Sequence, residues 1–562
     1  MPVTHQLSML AAANSVATRP DDGADFGEVF TKRWVVDFIL DLVGYTPDRD
    51  LFAHTIVEPS CGAGAFLGPI VERLAESCRR HDRKIADAVD AIHAFDLLEA
   101  NAELARKTTA AQLIEDGLDP EQAGSLADRW VRAGDFLLKE HQPDSADFVV
   151  GNPPYIRLEG VAAALTDAYR SACKTMRGRS DIYVGFFEIG LEMLKPGGQL
   201  AYICADRWMH NQYGSALRDF VTTRWAVDTV VTMHDVDAFE DDVSAYPAIT
   251  VLRNGPQRRA HVVDAVAAFD ATAAQAVTSW VRNPRRQTPR SAAFQACRLD
   301  AWHKGPGLWP SGSPAQLALL ADLERRFAPL EDRATGTRVG IGVATGCDDV
   351  YITRDADLVE PDRLLPLLRA GDLQDGTPDW SGEYLVNPWH DRELVDLRAY
   401  PKLRRYLESN ATRLKQRHTA QKQLSRWYRT IDVVEPTLLE RPKLVLPDMK
   451  AAAHPVLDTG GLYPHHNLYF VVSDAWDLEV LGGLLLSDVA NLFVGAYCVK
   501  MRGGCYRFQA QYIRQIRVPS PEEVPLSVAP TLIDAFRRRD RNAATGAACR
   551  LYGIEPSALR LP

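Results

Sequence analysis

The sequence predicts an α/β protein whose first part is a doubly wound, mostly parallel sheet with helices on both faces. Between about residues 26 and 255, short apolar runs alternate with amphipathic segments of helical length, the pattern of a sheet built from strand–helix units. From about residue 331 onward, short β-like runs such as RVGIGVATG, KLVLPD and LYFVV alternate with helices and predict a separate mixed α/β domain. No period of about 20 to 50 residues repeats, which argues against a solenoid.

The strand-like runs of the first part follow one another in a regular order. HTIVEPS precedes a helix that reaches about Arg80, AIHAFD precedes a second helix, and DFVVGNPPY and GGQLAYICADRWM follow. The stretch from about Asn101 to Trp130 is rich in Ala, Leu, Glu and Lys, which favours a helical insertion. Residues 161–180 are interpreted as a mobile loop over the site.

These patterns divide the 562 residues into five parts. We expect an N-terminal extension over 1–25, the doubly wound domain over 26–255 and a junction over 256–330, where prolines punctuate a weakening pattern. The second domain then occupies 331–530, and a helical tail occupies 531–562.

Composition narrows the class of protein. An apolar fraction of 46% and a charged fraction of 25% are typical of globular proteins. The start of the chain lacks a basic segment followed by an apolar run, and the apolar stretch 478–497 is interrupted by Asp488 and Asn491, so we expect neither export nor a membrane span. The nine cysteines form no C-x-x-C pair, which argues against a metal site or disulfides and favours the cytoplasm.

The sharpest motif is Asn152-Pro153-Pro154-Tyr155, directly after an apolar strand. The carboxyl ends of parallel strands are where such folds bind ligands. An exocyclic aromatic amine is a poor nucleophile because its lone pair is delocalised, and acceptors for both of its hydrogens favour a localised lone pair. The Asn152 side-chain oxygen and the Pro153 carbonyl suit this role, with Pro154 fixing the backbone and Tyr155 offering a stacking face for an extruded base. The alternative is an ordinary turn.

A glycine-containing loop, EPSCGAGAFL over residues 58–67, follows the strand Thr55 to Val57. Gly62 and Gly64 permit backbone dihedrals that other residues resist, so the loop can close around a ligand. It lacks the full dinucleotide spacing and a Gly-Lys-Ser/Thr, which disfavours a nicotinamide site and a nucleoside triphosphatase. A tight turn is the alternative reading.

Two acids follow at the next strand ends. Asp96 is placed to accept ribose hydroxyls of a bound nucleoside, and Asp135, beside Phe136, to accept from an adenine amine. Either acid could instead be a helix N-cap or a surface charge.

A basic segment lies in the second part. From Tyr400 to Thr430 there are nine Lys or Arg residues against one acid, Glu408, although the net charge of the whole chain is −10. DNA enzymes need only a local basic surface, and a solvated helix face would look similar. We expect the basic side chains of this segment to contact phosphates, and the DNA-binding residues predicted here are Arg404, Arg405, Arg413, Lys415, Arg417, Arg426 and Trp427.

The ordered series of glycine loop, two acids and Asn-Pro-Pro-Tyr resembles the gamma-class adenine-N6 DNA methyltransferases, especially the Taq-type enzymes and related restriction–modification proteins. The resemblance covers about residues 26 to 520 and includes Gly340–Gly346, Trp427-Tyr428, Arg441-Pro442-Lys443 and residues 503–508. It implies a Rossmann-like methyltransferase fold, S-adenosyl-L-methionine as cofactor, a flipped-out adenine as target, double-stranded DNA as partner and a C-terminal target-recognition domain.

The resemblance also implies roles for single residues. An upstream motif, residues 27–31, brings Thr31 to the cofactor, and the remaining cofactor residues implied are Glu58, Pro59, Ser60, Gly62, Gly64, Asp96, Asp135 and Phe136. Phe239 resembles the residue that packs against the flipped adenine opposite Tyr155. Tyr246 is a rival for that role, and a core phenylalanine is the plain alternative.

The same resemblance places the chain in a restriction–modification or phage-defence system, with a separate restriction endonuclease or defence subunits as partners. About 25 residues precede the upstream motif, too few for a fused nuclease, so we expect modification without cutting. Two alternatives stay open: a methyltransferase of protein glutamine or an RNA base, and a non-catalytic DNA-binding subunit.

Overall fold

The computed structural model describes residues 30–240, 246–373, 376–498 and 505–559. Within them the chain forms two compact units that divide at Pro314. The extension predicted over residues 1–25 lies outside the described residues. No single helix in these ranges has the length and hydropathy of a membrane span; Leu478–Leu486 and Asp488–Tyr497 reach them only as a pair, bent by 63°.

The N-terminal unit is built on a nine-stranded sheet of order β3-β2-β1-β4-β5-β7-β6-β8-β9. Strands β1 to β5 pair in parallel, β7 runs antiparallel between β5 and β6, and β9 runs antiparallel to β8. The predicted doubly wound, mostly parallel fold class is confirmed. The strands are β1 (Ile56–Glu58), β2 (Ile92–Asp96), β3 (Val131–Ala133), β4 (Ala146–Gly151), β5 (Leu194–Ala205), β6 (Ala226–Thr232), β7 (Pro247–Arg253), β8 (Ala260–Ala265) and β9 (Phe294–Leu299).

Helices cover the faces of this sheet. They are α1 (Arg33–Val43), α2 (Leu67–Arg80), α3 (Glu99–Glu115), α4 (Pro120–Trp130), α5 (Ala163–Ala172), α6 (Tyr183–Glu192), α7 (Arg207–His210), α8 (Ser215–Arg224) and α9 (Ala271–Val281). Helix α1 shows how the sequence determines this packing: Val35, Val36 and Ile39 are spaced to fall on one side and are fully buried in the core. The predicted helical insertion corresponds to α3 and α4, which pair with each other.

The order of the strands reverses between β1 and β4. These two strands run parallel to each other, and Val57 of β1 lies opposite Val149 of β4. At such a switch point the connections leave in opposite directions, which opens a crevice at the carboxyl ends of the strands. Glu58 ends β1 and Asn152 follows β4, so the two principal motifs meet at this edge.

The stretch 256–330 is not a junction over its whole length. Strands β8 and β9 extend the sheet, and α9 packs on α1. The next residues are held by Arg218 of α8, whose buried guanidinium donates to the carbonyls of Pro306 and Gly307. The prolines interrupt the periodic pattern on which the prediction of a junction rested. The residues that pack against this stretch are distant in sequence, so a local pattern does not reveal them.

The C-terminal unit is a mixed α/β domain, as predicted. It contains two four-stranded sheets of order β11-β21-β17-β19 and β12-β14-β13-β20, and three two-stranded ribbons. Its strands are β10 (Ala328–Pro329), β11 (Arg338–Ile341), β12 (Ile352–Thr353), β13 (Leu364–Leu368), β14 (Tyr384–Val386), β15 (Trp389–His390), β16 (Glu393–Leu394), β17 (Lys443–Pro447), β18 (Met449–Lys450), β19 (Val456–Asp458), β20 (Tyr463–Pro464), β21 (Leu468–Val472), β22 (Tyr506–Arg507) and β23 (Arg517–Val518).

The C-terminal unit has a core of its own, to which several of its helices contribute. The helices of this unit are α10 (Pro314–Arg326), α11 (Asp348–Tyr351), α12 (Pro401–Ser409), α13 (Ala411–Lys415), α14 (His418–Gln421), α15 (Pro436–Glu440), α16 (Leu478–Leu486), α17 (Asp488–Tyr497), α18 (Ala510–Ile513), α19 (Ala529–Arg538) and α20 (Arg541–Tyr552). Helices α19 and α20 lie in the predicted helical tail, and both pack on α16. They therefore form part of this compact unit.

Replacing Arg218 with Ala should destabilise the N-terminal unit. The change leaves buried carbonyl oxygens without their donor, and we expect the free energy of unfolding to fall by about 3 kcal/mol. Urea denaturation measures the effect. Asp219→Ala, an exposed neighbour on the same helix, is the control, and equal effects of the two substitutions would show that Arg218 does not anchor residues 306 and 307.

Candidate functional site

An open cleft lies at the carboxyl edge of the sheet in the N-terminal unit. Its lining comes from the ends of the first four strands, from the segment before α1 and from α5 and α6. Cofactor residues predicted from the sequence line most of it, namely Thr31, Glu58, Pro59, Ser60, Gly62, Asp96, Asp135 and Phe136. The geometry thus brings eight of the nine around one space.

The ninth predicted residue, Gly64, lies against helix α3. Its backbone is left-handed with φ of 98°, and a Cβ there would lie 3.8 Å from the Cα of Ala105 on α3. The residue is outside the lining of the cleft in the part of the chain that the structure describes. The turn directs Gly64 toward α3, and its contact with the cofactor stays a prediction.

The glycine loop is fixed through Asp96 at the end of β2. The Gly62 N–H donates to Asp96 Oδ2 at 2.9 Å, and the Leu98 N–H donates to Oδ1 at 2.9 Å. Gly62 has φ of 51°, a conformation that costs glycine little and other residues more. One carboxylate thus joins the turn after β1 to the start of α3 and sits at the edge of the cleft.

Glu58 is the most unusual acid in the cleft. Its side chain is 1% exposed, and among the described residues its Oε2 atom has no hydrogen-bond partner. Burial, and secondarily the charge of Asp96, raise the pKa of Glu58 well above its usual range. A buried acceptor without a donor is costly unless a ligand supplies one, which fits a ligand that carries cationic or N–H and O–H groups.

Asp135 is held from two sides. Its Oδ1 accepts from the Leu137 N–H at 2.9 Å, and its Oδ2 accepts from the Tyr169 hydroxyl at 2.8 Å. Burial raises the pKa of Asp135. The neighbouring Phe136 stacks on Phe186, with ring centroids 5.5 Å apart. Together these groups offer an acceptor beside flat apolar rings, which suits a nucleobase.

Sequence reasoning missed Tyr169 and Phe186. Tyr169 belongs to α5, where the sequence predicted a mobile loop over 161–180, and it is buried. Phe186 belongs to α6, whose residues are nearly all apolar and so give no amphipathic pattern. The apolar ring residues that follow Asp181 were the available signal.

Asn152 is anchored at both of its polar ends. Its side-chain Nδ2 donates to Thr31 Oγ1 at 3.2 Å, and its backbone carbonyl accepts from Ser60 Oγ at 3.1 Å. The upstream segment, the glycine loop and the Asn-Pro-Pro-Tyr motif are thereby joined at one point. Asn152 and Pro154 line the cleft.

Pro153 and Tyr155 lie away from that lining among the described residues. The Tyr155 hydroxyl donates to the Ile203 carbonyl at 3.3 Å, and its ring meets that of Tyr183 edge to face at 6.5 Å. Burial raises the pKa of Tyr155, so it remains a neutral phenol. Just after the motif, Ile156 accepts a backbone hydrogen bond from Ile182 at 2.8 Å, which fixes the exit of the loop.

Phe239 does not present a face to the cleft. Its backbone forms an antiparallel bridge with Thr31, while its ring is 6% exposed and belongs to the core. Its position is therefore that of a core phenylalanine, the plain alternative. The predicted stacking on a flipped adenine would require the ring to move out of the core. The rival Tyr246 is 52% exposed, with its ring 4.9 Å from that of His234. Residues 241–245 between them lie outside the described residues.

The basic segment lies in the C-terminal unit, and its side chains differ in their exposure and in their contacts. Arg405 is exposed, Arg404 pairs with Glu408 on α12 and Arg413 pairs with Asp349. Such surface ion pairs are weak and can exchange partners. Lys415 lies over the ring of Trp427 at 5.2 Å, and Arg426 over that of Trp389 at 5.6 Å.

Arg417 is bound to the backbone of its own unit. Its guanidinium donates to the backbone carbonyls of Thr345, Trp427 and Arg429 at 2.8 to 3.1 Å. A side chain whose donors are engaged in this way holds its own loop in place, and the predicted phosphate contact of Arg417 would have to replace some of these hydrogen bonds. The carbonyls come partly from distant sequence, which composition does not reveal.

Known proteins resemble this chain in sequence. A family model described as Eco57I restriction-modification methylase matches residues 82–239. The chain is 43% identical to the Type II methyltransferase M.PaeR7I of Pseudomonas aeruginosa over 562 residues, which cover 98% of this chain and 96% of that protein. This chain belongs to the Type II DNA methyltransferases of restriction–modification systems. The predicted family resemblance is confirmed at that level.

Other comparisons agree. The methyltransferase is 42% identical to the Type II methyltransferase M.XhoI of Xanthomonas vasicola, over 94% of this chain and 97% of that one. Among solved structures, the Type IIL restriction-modification enzyme MmeI in complex with DNA is similar to this chain, with a TM-score of 0.51 and 11% sequence identity. The match covers 93% of this chain and 74% of the MmeI chain. At that identity the match shows a shared fold alone.

The methyltransferase uses S-adenosylmethionine as its cofactor. The cleft fits this molecule: the unpartnered Oε2 of Glu58 suits its cationic part, and Phe136 with Asp135 suits its adenine. Asp96, fixed by two backbone donors, suits the ribose hydroxyls.

Tyr169→Phe should weaken binding of S-adenosylmethionine about tenfold, because a hydrogen bond to a carboxylate is worth about 1.5 to 3 kcal/mol. Losing that donor also raises the pKa of Asp135 further. The affinity of the variant should therefore begin to fall at a higher pH than that of the wild type as the solution is acidified. Calorimetric titration across the neutral and mildly acidic range measures both effects.

Tyr213→Phe is the matched control, since that hydroxyl donates to the carboxylate of Asp181 at 2.8 Å and lies outside the lining of the cleft. Unchanged affinity in Tyr169→Phe, or the same loss in both variants, would contradict a role for Tyr169 in positioning Asp135.

Proposed function

We propose that this methyltransferase transfers a methyl group to the exocyclic N6 of an adenine that is flipped out of double-stranded DNA. The observation that carries the proposal is the position of Asn152-Pro153-Pro154-Tyr155 at the end of β4, with Asn152 bonded to Thr31 and Ser60 of the cofactor cleft. S-adenosylmethionine, when bound, supplies an electrophilic methyl group there.

The role of Asn152 follows from the chemistry of the target amine. The nitrogen reacts poorly while its lone pair is delocalised into the purine. Acceptance of its two hydrogens by the Asn152 side-chain oxygen and the Pro153 carbonyl favours a tetrahedral nitrogen with a directed lone pair. The anchoring of Asn152 at both ends holds these acceptors before the substrate arrives, so little reorganisation is needed during reaction.

No general base is assigned. A carboxamide does not take up a proton at neutral pH, so Asn152 accepts hydrogen bonds without removing the proton. The amine becomes strongly acidic once alkylated, and its proton then passes to solvent. The rate enhancement in this proposal comes from alignment and from the directed lone pair.

Tyr155 and Phe239 are the proposed stacking partners of the extruded base. Extrusion costs a few kcal/mol, which stacking on an aromatic face offsets. Tyr155 is half-buried and held by Ile203 and Tyr183, so it is ready for this role, whereas Phe239 must turn out of the core. Tyr155 is therefore the stronger of the two assignments.

We also propose that this chain modifies DNA without cutting it. The relatives that match almost its whole length are named as methyltransferases alone, while the Type II restriction enzyme and methyltransferase RM.BcgI of Heyndrickxia coagulans matches over 32% of its own length. A separate endonuclease would then recognise the same site. Incubation of plasmid with the protein and Mg²⁺, followed by electrophoresis, tests this directly, and cleavage would refute it.

In the same proposal, the C-terminal unit binds and reads the DNA. The side chains of the basic segment assigned to phosphates are Arg404, Arg405, Arg413, Lys415 and Arg426, with Trp427 supporting Lys415. Arg417 instead holds the segment in shape. Base-reading residues are not assigned.

Asn152→Ala should lower methyl transfer at least about 100-fold while S-adenosylmethionine still binds, because the lost interaction acts on the reacting amine. The measurement is incorporation of labelled methyl into unmethylated bacterial DNA, followed by nucleoside analysis of the product. N6-methyladenine is the expected product of the wild type.

Asn542→Ala, an exposed asparagine of the C-terminal unit, is the control and should be fully active. Methyl-cytosine as product would overturn the adenine assignment. Transfer to protein or RNA in place of DNA would overturn the substrate, and full activity of Asn152→Ala would overturn the mechanism.

Removal of two basic groups, Arg405→Ala with Lys415→Ala, should weaken DNA binding and lower its dependence on salt. Each lost phosphate contact reduces the slope of log K against log salt by about 0.9, so the double variant should lose about 2. Fluorescence anisotropy over a salt series measures the slope. Arg550→Ala, an exposed arginine of α20, should leave it unchanged, and an unaltered slope in the double variant would remove the segment from the interface.

A further inference from the structure

Three potential metal ligands converge in the C-terminal unit, far from the cofactor cleft in sequence. They are Asp348 at the start of α11 and the adjacent His465 and His466 between β20 and β21. His465 Nε2 lies 3.1 Å from Asp348 Oδ2 and 3.0 Å from His466 Nδ1. Tetrahedral zinc with bonds of about 2.0 to 2.1 Å places its ligand atoms about 3.3 Å apart, close to these separations.

The backbone holds these side chains in place. The His465 N–H donates to the Leu368 carbonyl and the His466 N–H to the Val343 carbonyl, both at 3.0 Å. Asp348 is fixed through its Oδ1, which accepts from the Thr345 hydroxyl. These hydrogen bonds fix the positions of the three residues, and such preorganisation lowers the cost of assembling a metal site.

The protonation of His465 leaves an acceptor at the centre of the cluster. The ring is 2% exposed and lies between Asp348 and His466. Its Nδ1 lies 3.1 Å from Asn467 Oδ1, and a proton on Nδ1 makes that hydrogen bond. With its hydrogen on Nδ1, the ring presents the Nε2 lone pair to the space shared by Asp348 and His466, as a metal ligand must. Metal-bound histidines commonly donate their second nitrogen in this way.

We propose that Asp348, His465 and His466 bind one zinc ion, with water as the fourth ligand. His466 is exposed, so the ion can enter and exchange from solvent. Arg369 lies 3.6 Å from Asp348 Oδ2 and opposes a dication, although Glu383, 3.2 Å from Arg369, offsets part of that charge. Local cysteine and histidine spacing does not reveal this cluster, because Asp348 is remote in sequence from the two histidines.

Zinc at this position would stiffen the loop that supports the basic segment. Thr345, three residues before Asp348, accepts from the Arg417 guanidinium at 3.1 Å and from the Ile431 N–H at 3.3 Å. Asp432 accepts from the Ala344 N–H at 2.9 Å. This consequence rests on the proposed DNA contact of the segment, whereas metal binding itself does not.

The test uses the full chain without a polyhistidine tag, stripped of metal and titrated with Co²⁺ as a spectroscopic stand-in for zinc. One equivalent should bind with the intense visible absorption of tetrahedral cobalt, and Zn²⁺ should displace it. His466→Gln, a change at an exposed position, should weaken binding at least about tenfold. His390→Gln, an exposed histidine of the same unit, should bind as the wild type does.

The proposal is overturned if the wild type binds no more metal than His466→Gln, or if the cobalt spectrum is the weak one of octahedral coordination. A thermal melt gives a second readout, since zinc should raise the melting temperature of the wild type and leave that of His466→Gln unchanged. If zinc binds but DNA affinity does not respond to its removal, the metal site stands and its link to the basic segment is wrong. S-adenosylmethionine binding should not respond to zinc in either variant.

Discussion

The parallel pairing of β1 with β4 is the constraint on which the rest of the cleft depends. Because Val57 lies opposite Val149, the two strands end at the same edge, and their chains depart in opposite directions from it. Glu58 and Asn152 therefore both line the cleft, because the strand ends themselves bring them together. The hydrogen bond from Ser60 to the Asn152 carbonyl joins the glycine loop to the motif, and the bond from Asn152 to Thr31 joins the upstream segment to it. A register shift between these strands would separate the cofactor loop from the motif.

A second theme is the concentration of acids in a buried place. Glu58, Asp96 and Asp135 belong to three successive strand ends, and burial raises the pKa of the first and the last. Burying carboxyl groups reduces the stability of the folded protein, and Asp96 and Asp135 recover part of this through backbone N–H donors. Glu58 Oε2 has no such donor among the described residues. The fold retains this cost at the place where a cationic, donor-rich cofactor binds, as functional sites commonly do.

Local patterns predicted the elements and the edge of the sheet, while long-range packing decided which way each side chain faces. The apolar run before Asn152 identified β4, and the runs from Lys443 and Leu468 identified two strands of the C-terminal unit. The same reasoning could not tell that Gly64 faces Ala105 or that Phe239 turns into the core. Arg417 was counted with its basic neighbours, because the carbonyls that it holds are brought together only by folding.

The bridge between Thr31 and Phe239 has a consequence for how this protein is made. Residues 30 to 32 join no strand of their own, and two backbone hydrogen bonds, from the Lys32 N–H to the Ala238 carbonyl and from the Glu240 N–H to the Phe30 carbonyl, connect them to the segment around Phe239. During translation, the segment that carries Thr31 therefore leaves the ribosome long before the partner segment that fixes its backbone. At roughly 5 to 20 residues per second, that delay is on the order of ten seconds or more. The nascent chain passes through this interval with an incomplete cleft, so methylation can begin only after most of the N-terminal unit has been synthesised.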